Sequence, residues 1–395
     1  MALDLYAGFG TPVEQQALHW RDMALTPISK LDDDAFTRVR IGLMSALEMG
    51  AFDFAHAAAL GSSDLREALA RVRRIELHQG LAVQSLLGTD HSPLELAIGH
   101  KQCAIEVAAA LAQHEPDAVV AAALRFGMVE DLDHLYRLAA LFDRVEGKDA
   151  NNILQSYTDI LPGRPTILQH RAPQDDLRAA YDTTTAHAST RIHVLTMLAL
   201  ARRLGTLFAH GAMTQADPVV RQLHAEIASI EEQHATHYES LLDPREGWLE
   251  QWLLHQAAEA VAYHACVQRE TEPRIKALWE RMLDYEIGQF HYVADLLRSH
   301  GGQDPQRIVP RELPDTLPFS SQRDYLRKAL QEELELSVCA GVYVPRSQES
   351  QATRDYRTRV NAEGSPSESA AAGYIWSPGT ELARLHTAAS PTTTP

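Results

Sequence analysis

Apolar residues along this chain recur at the three- and four-residue spacing of a single helical face nearly throughout, and alternating strand-like stretches are absent. Asp32 to Asp34 offer caps before a run from about Phe36 to Leu60, and Ser63 or Asp64 opens a second run to about Leu87. Ser92-Pro93 starts a third, which ends before Pro116, and a fourth continues to about Val145. After an interruption come four more runs: Ala188 to His210, Pro218 to Leu242, Glu246 to Glu270 and Pro273 to His300. Asp217-Pro218 and Glu272-Pro273 read as helix starts with proline in the first turn, and Gly301-Gly302 as a stop. The pattern predicts an all-α chain built as two four-helix bundles, residues 30–146 and 181–302, although the halves show no residue-by-residue repeat.

Between them, residues 147–180 cannot form one helix. The stretch from Ile160 to Pro173 carries three prolines and a glycine and reads as a crossover. Its Arg164, His170 and Arg171 suit either an anion or the pinning of the crossover by capping and ion pairs. Residues 303–345 hold a further amphipathic helix, Ser320 to Val338, with its connections. Residues 346–395 are rich in Ser, Thr, Ala, Gly and Pro, a composition that predicts a disordered tail.

Of the 395 residues, 45% are hydrophobic, enough for a sizeable core. A net charge of −17 argues against broad binding to a phosphate backbone, so no nucleic-acid partner is expected. No uninterrupted apolar stretch approaches the ~18 residues of a membrane span, and Met1 to Pro12 lack the form of a signal peptide. Cys103, Cys266 and Cys339 are widely separated and form no Cys-x-x-Cys pair, which fits a reducing compartment and predicts a cytoplasmic protein.

The chemistry concentrates in the second half. Glu231-x-x-His234 places a hard oxygen and an imidazole on one helical face, a pairing suited to iron, manganese or zinc. Glu259 stands in Ala257-Ala-Glu-Ala-Val-Ala, where an unpaired buried carboxylate is costly and a metal would remove the cost. Glu286 follows among apolar neighbours, with Gln289 or His291 close by. The first half echoes this with Glu48, Glu76 and Asp131-x-x-His134, beside Lys101, whose ammonium could replace metal charge. That half suits either a metal or a buried polar network. Tyr238, Tyr263 and Tyr285 could line a site or simply fill the core.

The constellation resembles the ferritin-like di-iron carboxylate superfamily, in which two helices each give a Glu and the other two each give Glu-x-x-His. The stretch Ile230 to Asp243 is especially similar, while Leu161-Pro-Gly-Arg-Pro-Thr and Trp279 to Leu297 resemble bacterial ferritin-like proteins with a doubled bundle. The likeness spans most of residues 35–300, and its one specific element is Glu-x-x-His. It implies a metal ion as partner, iron or manganese as cofactor, and oxidoreductase chemistry with dioxygen or peroxide, of the di-iron oxidase or oxygenase type. The departures are Leu200-Ala201-Arg202, where a carboxylate is wanted, and Gln289, where a histidine is wanted. Glu231, His234, Glu259 and Glu286 match. This leaves open a mononuclear site, substitution by His193 or His291, a non-catalytic metal-binding or buffering protein, and a scaffold that has lost its metal. A homodimer is compatible with all of these, and no substrate is indicated.

Overall fold

The computed structural model describes residues 3–31, 34–88, 90–375 and 383–384. The chain is mostly helical. Its long helices are α1 (Ala35–Gly61), α2 (Arg66–Gln84), α3 (Pro93–His114), α4 (Ala118–Glu146), α5 (Ala188–Thr214), α6 (Pro218–Ser240), α7 (Trp248–Arg269) and α8 (Pro273–Leu296). Their starts follow the local chemistry. Ser92 and Glu95 cap α3 reciprocally. Asp117 and Asp217 accept hydrogen bonds from the first free N–H groups of α4 and α6, and Glu272 does the same for α8. Asp34 takes the cap position of α1 without a side-chain bond. Asp32 and Asp33 lie outside the described residues. Helix α5 is long and apolar enough to cross a membrane, yet 67% of its most apolar window is buried against the rest of the chain.

The helices associate as four antiparallel hairpins, α1–α2, α3–α4, α5–α6 and α7–α8. Their grouping is nested. Helix α1 packs on α7 and equally on α3 and α5, α7 also meets α5, and the two middle hairpins meet through α3–α5 and α4–α6. Buried polar side chains join α1, α2, α7 and α8 around one interior, and α3, α4 and α6 around another, across the expected divisions 30–146 and 181–302. The reason lies in the crossover, which links α4 to α5 within one group and is pinned there. Arg164 and Arg171 both pair with Glu130 of α4, at 3.2 and 2.5 Å, and His170 meets Glu226 of α6 at 3.2 Å. The anions held by these basic residues are the protein's own carboxylates.

Before α1, the N-terminal segment runs across α8. Thr11 donates its N–H to the Asp284 carbonyl at 3.2 Å, and Gln16 donates to the Tyr285 carbonyl at 2.9 Å. Gly288 permits this approach, since a Cβ there would lie 1.9 Å from the Thr11 carbonyl oxygen. Strand β1 (Leu3–Asp4) pairs with β2 (Glu312–Leu313).

The C-terminal part departs from expectation. Helix α9 covers Arg323–Glu333 and stops short of Val338, because Leu336–Cys339 (β3) and Val342–Pro345 (β4) form a hairpin. Ala340 and Gly341, at φ 48° and 83°, make its two-residue turn with both residues left-handed, the form that matches strand twist. The tail expected to be disordered from residue 346 is folded as far as 375: α10 (Gln351–Val360) follows, and α11 (Pro366–Ala371) packs on α4 and α6. Its small polar residues are hydrogen-bond donors to buried carboxylates. Thr353 donates to Asp175 at 2.6 Å, while Ser365 Oγ and Ser367 N–H donate to Glu226 at 3.0 and 2.6 Å. The remainder of the expected tail, 376–382 and 385–395, lies outside the described residues.

Candidate metal centre

Two polar clusters lie inside the helix groups, and their electrostatics differ. The first gathers Glu48 from α1, Glu76 and Gln79 from α2, Gln256, Glu259 and Tyr263 from α7, and Glu286 and Gln289 from α8, all between 0% and 1% exposed. The i,i+3 pairs Glu76/Gln79, Gln256/Glu259 and Glu286/Gln289 each point one helical face inward. Gln79 donates to Glu286 at 2.7 Å and to Glu48 at 3.4 Å. Gln256 donates to Glu76 at 3.0 Å and Glu259 at 3.1 Å, and the Tyr263 hydroxyl donates to Glu48. Gln289 donates to Gln79 at 2.9 Å and to Gln16 of the N-terminal segment at 3.2 Å.

Glu259 and Glu286 also hydrogen-bond each other, which needs a proton on one of them; Glu48 Oε2 and Glu76 Oε2 are buried with no donor, as are the amide oxygens of Gln256 and Gln289. Among the described residues no lysine or arginine forms an ion pair with any of the four glutamates. Burial pushes Glu76 up to about 7. Burial and the charge of Glu76 push Glu286 up to about 8. Burial and the charge of Glu286 raise Glu48 and Glu259 well above the carboxylate range. Such a group of carboxyls must carry protons or face cations.

The second cluster gathers Lys101 from α3, Glu130, Asp131 and His134 from α4, and Glu231 and His234 from α6, with Arg164, Arg171 and Asp176 from the crossover. Asp131, His134 and Glu231 bring one ligand atom each within 4.8 Å of one another, a spacing that could hold a metal ion. The Lys101 ammonium, however, contacts Asp131 at 2.6 Å and also Glu231. Burial would lower Lys101, but Asp131 and Glu231 raise it above its ordinary value. Burial likewise opposes charge on His234, yet hydrogen bonds to Glu130 and Glu231 push it up to about 10. Burial would raise Glu130, but Arg171, His234 and Arg164 hold it well below the usual range. Four cations, Lys101, Arg164, Arg171 and His234, thus face four carboxylates, Glu130, Asp131, Asp176 and Glu231. The second cluster neutralises itself.

The residues picked from sequence divide between these two places. Glu259 and Glu286 join Glu48 and Glu76; Glu231 and His234 join Asp131 and His134. The single site expected from Glu231, His234, Glu259 and Glu286 is therefore two, because the nested hairpins carry α6 and the α7–α8 pair into different groups. His291 belongs to neither and hydrogen-bonds the Gly8 carbonyl at 2.5 Å. His193 pairs with Glu115 at 2.7 Å. Gln79, Gln256, Glu130 and Gln16 were missed; the i,i+3 spacing of Gln79 and Gln256 from Glu76 and Glu259 was the available signal. Comparison with protein-family models, curated proteins and solved structures finds no match.

Proposed function

We propose that the chain is a ferritin-like metal protein with an asymmetric pair of bundles, one that binds metal and one in which ammonium and guanidinium charge has replaced it. In the first, Glu48, Glu76, Glu259 and Glu286 hold divalent first-row ions. The observation that carries this is the set of four fully buried carboxyls from four helices with no lysine or arginine among the described residues paired to them; as a set they stand wider apart than the 4.8 Å ligand spacing met by Asp131, His134 and Glu231, so an ion would have to draw them together. The donor set is all oxygen, because Gln79 and Gln289 stand where the resemblance would have histidines. That favours harder ions, manganese or ferrous iron, over zinc. Such ions would supply one-electron chemistry with dioxygen or peroxide, which makes the protein an oxidoreductase.

The chain's own residues set the conditions. Gln79 and Gln256 each bridge carboxylates on different helices and fix their orientation. Tyr263 holds a hydroxyl proton against Glu48. Gln16 stands between Gln289 and a cavity of 610 Å³ lined by Arg71, Arg74, Ile75 and His78, so the N-terminal segment screens the carboxylates from water on that side. The cavity is the place for a small-molecule substrate. In the second cluster Lys101 occupies the metal's electrostatic role, which leaves that bundle structural.

The test is metal content. Protein from cultures supplied with iron or manganese is expected to carry metal, and Glu259→Gln to lose most of it. Negligible metal in the wild type, or the same content in both, overturns the reading.

A further inference from the structure

Away from both clusters, a cavity of 240 Å³ lies between the first turns of α3, the end of α5 and the start of α6. Its walls are mostly apolar, from Pro93, Leu96, Ala97, Leu207 and Phe208, with Thr214, Gln215 and three histidines, His100, His210 and His224, as the polar side chains. His224 is 3% exposed and lines the cavity. Its Nδ1 lies 2.8 Å from the Val220 carbonyl oxygen. A carbonyl only accepts, so Nδ1 carries the ring proton, and Nε2 of the neutral ring is left as a lone-pair acceptor. Burial lowers the His224 pKa and keeps the ring neutral. Among the described residues none donates to Nε2.

The ring is held in place from two sides. Phe208 packs against it with centroids 5.2 Å apart. On the other side Gly211 leaves room for it, since a Cβ there would lie 2.4 Å from His224 Cδ2. Phe208 also separates the cavity from Lys101, whose ammonium lies 5.3 Å from the ring centre. The cavity is thereby a slot floored by Phe208 in which His224 presents a fixed acceptor.

We propose that this cavity is a binding site for a small flat aromatic molecule bearing a single O–H or N–H donor, of the phenol or indole kind, which rests on Phe208 and donates to His224 Nε2. The size agrees: roughly 150 Å³ of apolar cavity suffices for one benzene ring, so 240 Å³ takes one ring with substituents or a fused pair. A donor on the ligand meets the free lone pair of Nε2, and a ligand without a donor forgoes that bond, which sets the selectivity. The site does not depend on the metal reading, being in the other helix group.

The experiment titrates p-cresol and toluene, nearly alike in shape, into the full chain by calorimetry. The expected result is one p-cresol per chain, bound at least about 10-fold more tightly than toluene. His224→Phe is expected to abolish that preference while toluene binding persists. Should the variant fold poorly, nitrogen-15 histidine spectra of the wild type serve instead: the unprotonated nitrogen of His224 should shift with p-cresol and not with toluene. Equal affinities, no saturable p-cresol binding, an unchanged preference in His224→Phe, or an unmoved nitrogen signal each overturn the proposal.

Discussion

Replacing Glu286 by Gln in metal-free protein isolates the electrostatic state of the carboxylate cluster. Glu286 is fully buried, and burial with the charge of Glu76 pushes it up to about 8 from an ordinary 4.5. A carboxyl raised in the folded state contributes stability that is complete below its unfolded pKa and is lost as pH rises through the folded one. Each pH unit between the two is worth about 1.4 kcal/mol. From about pH 5.5 to about pH 7.5 the wild type should therefore lose about 2–3 kcal/mol relative to Glu286→Gln, whose amide does not titrate. For a chain of this size that moves the difference in melting temperature by about 3 °C. The assay is a pair of thermal or urea melts of chelator-treated proteins at the two pH values. Comparing wild type with variant cancels the titration of the many histidines. Adding manganese at the higher pH should reverse the order, because the ion stabilises the wild type in proportion to its binding and the variant less. A stability gap that does not change with pH would refute the reasoning, since it would mean Glu286 is charged and compensated in the folded protein.

Lys101→Met removes the ammonium between Asp131 and Glu231 and should cost about 3–5 kcal/mol in metal-free buffer, as expected for a broken buried pair. The same variant should gain divalent-metal binding at Asp131, His134 and Glu231, read as one more metal per chain than the wild type and a larger metal-dependent rise in melting temperature; no increase over the wild type contradicts the view of Lys101 as a metal substitute. His234, held at about 10 against an ordinary 6.5, contributes stability that is complete below 6.5 and lost as pH rises through 10. Wild type should thus lose about 1.4 kcal/mol per pH unit relative to His234→Gln between about pH 7 and pH 9, measured by urea melts. Gly288→Ala pushes a methyl group into the Thr11 carbonyl and should release the N-terminal segment, seen as faster proteolysis before Ala35 at a cost of about 1–3 kcal/mol.

The eight long helices were legible because their apolar spacing and caps are local: Asp117, Asp217 and the Ser92/Glu95 box mark starts that need no knowledge of the rest of the fold. Which hairpin packs on which is a long-range property, and the apolar faces of all four hairpins look alike along the chain. That is why Glu231 and Glu259, only 28 positions apart, were read as one site and lie in two. The glutamines were passed over because an amide holds no charge and gives no signal alone; only Glu76/Gln79 and Glu286/Gln289 together reveal a repeated i,i+3 face. The stretch 346–375 was misread because Thr353, Ser365 and Ser367 resemble disorder by composition, while their hydroxyl and N–H groups satisfy Asp175 and Glu226. Lys101 does meet buried carboxylates, but those of Asp131 and Glu231, while Glu48 and Glu76 of the network expected around it lie in the other cluster.

The most direct measurement is a calorimetric titration of manganese or ferrous iron into metal-free protein near neutral pH, in buffers of different ionisation enthalpy. Raised carboxyls must give up their protons to become ligands, so saturable binding should release protons, and Glu259→Gln with Glu286→Gln should abolish both. Absence of binding, or binding without proton release that survives the double substitution, would contradict a metal centre built on Glu48, Glu76, Glu259 and Glu286.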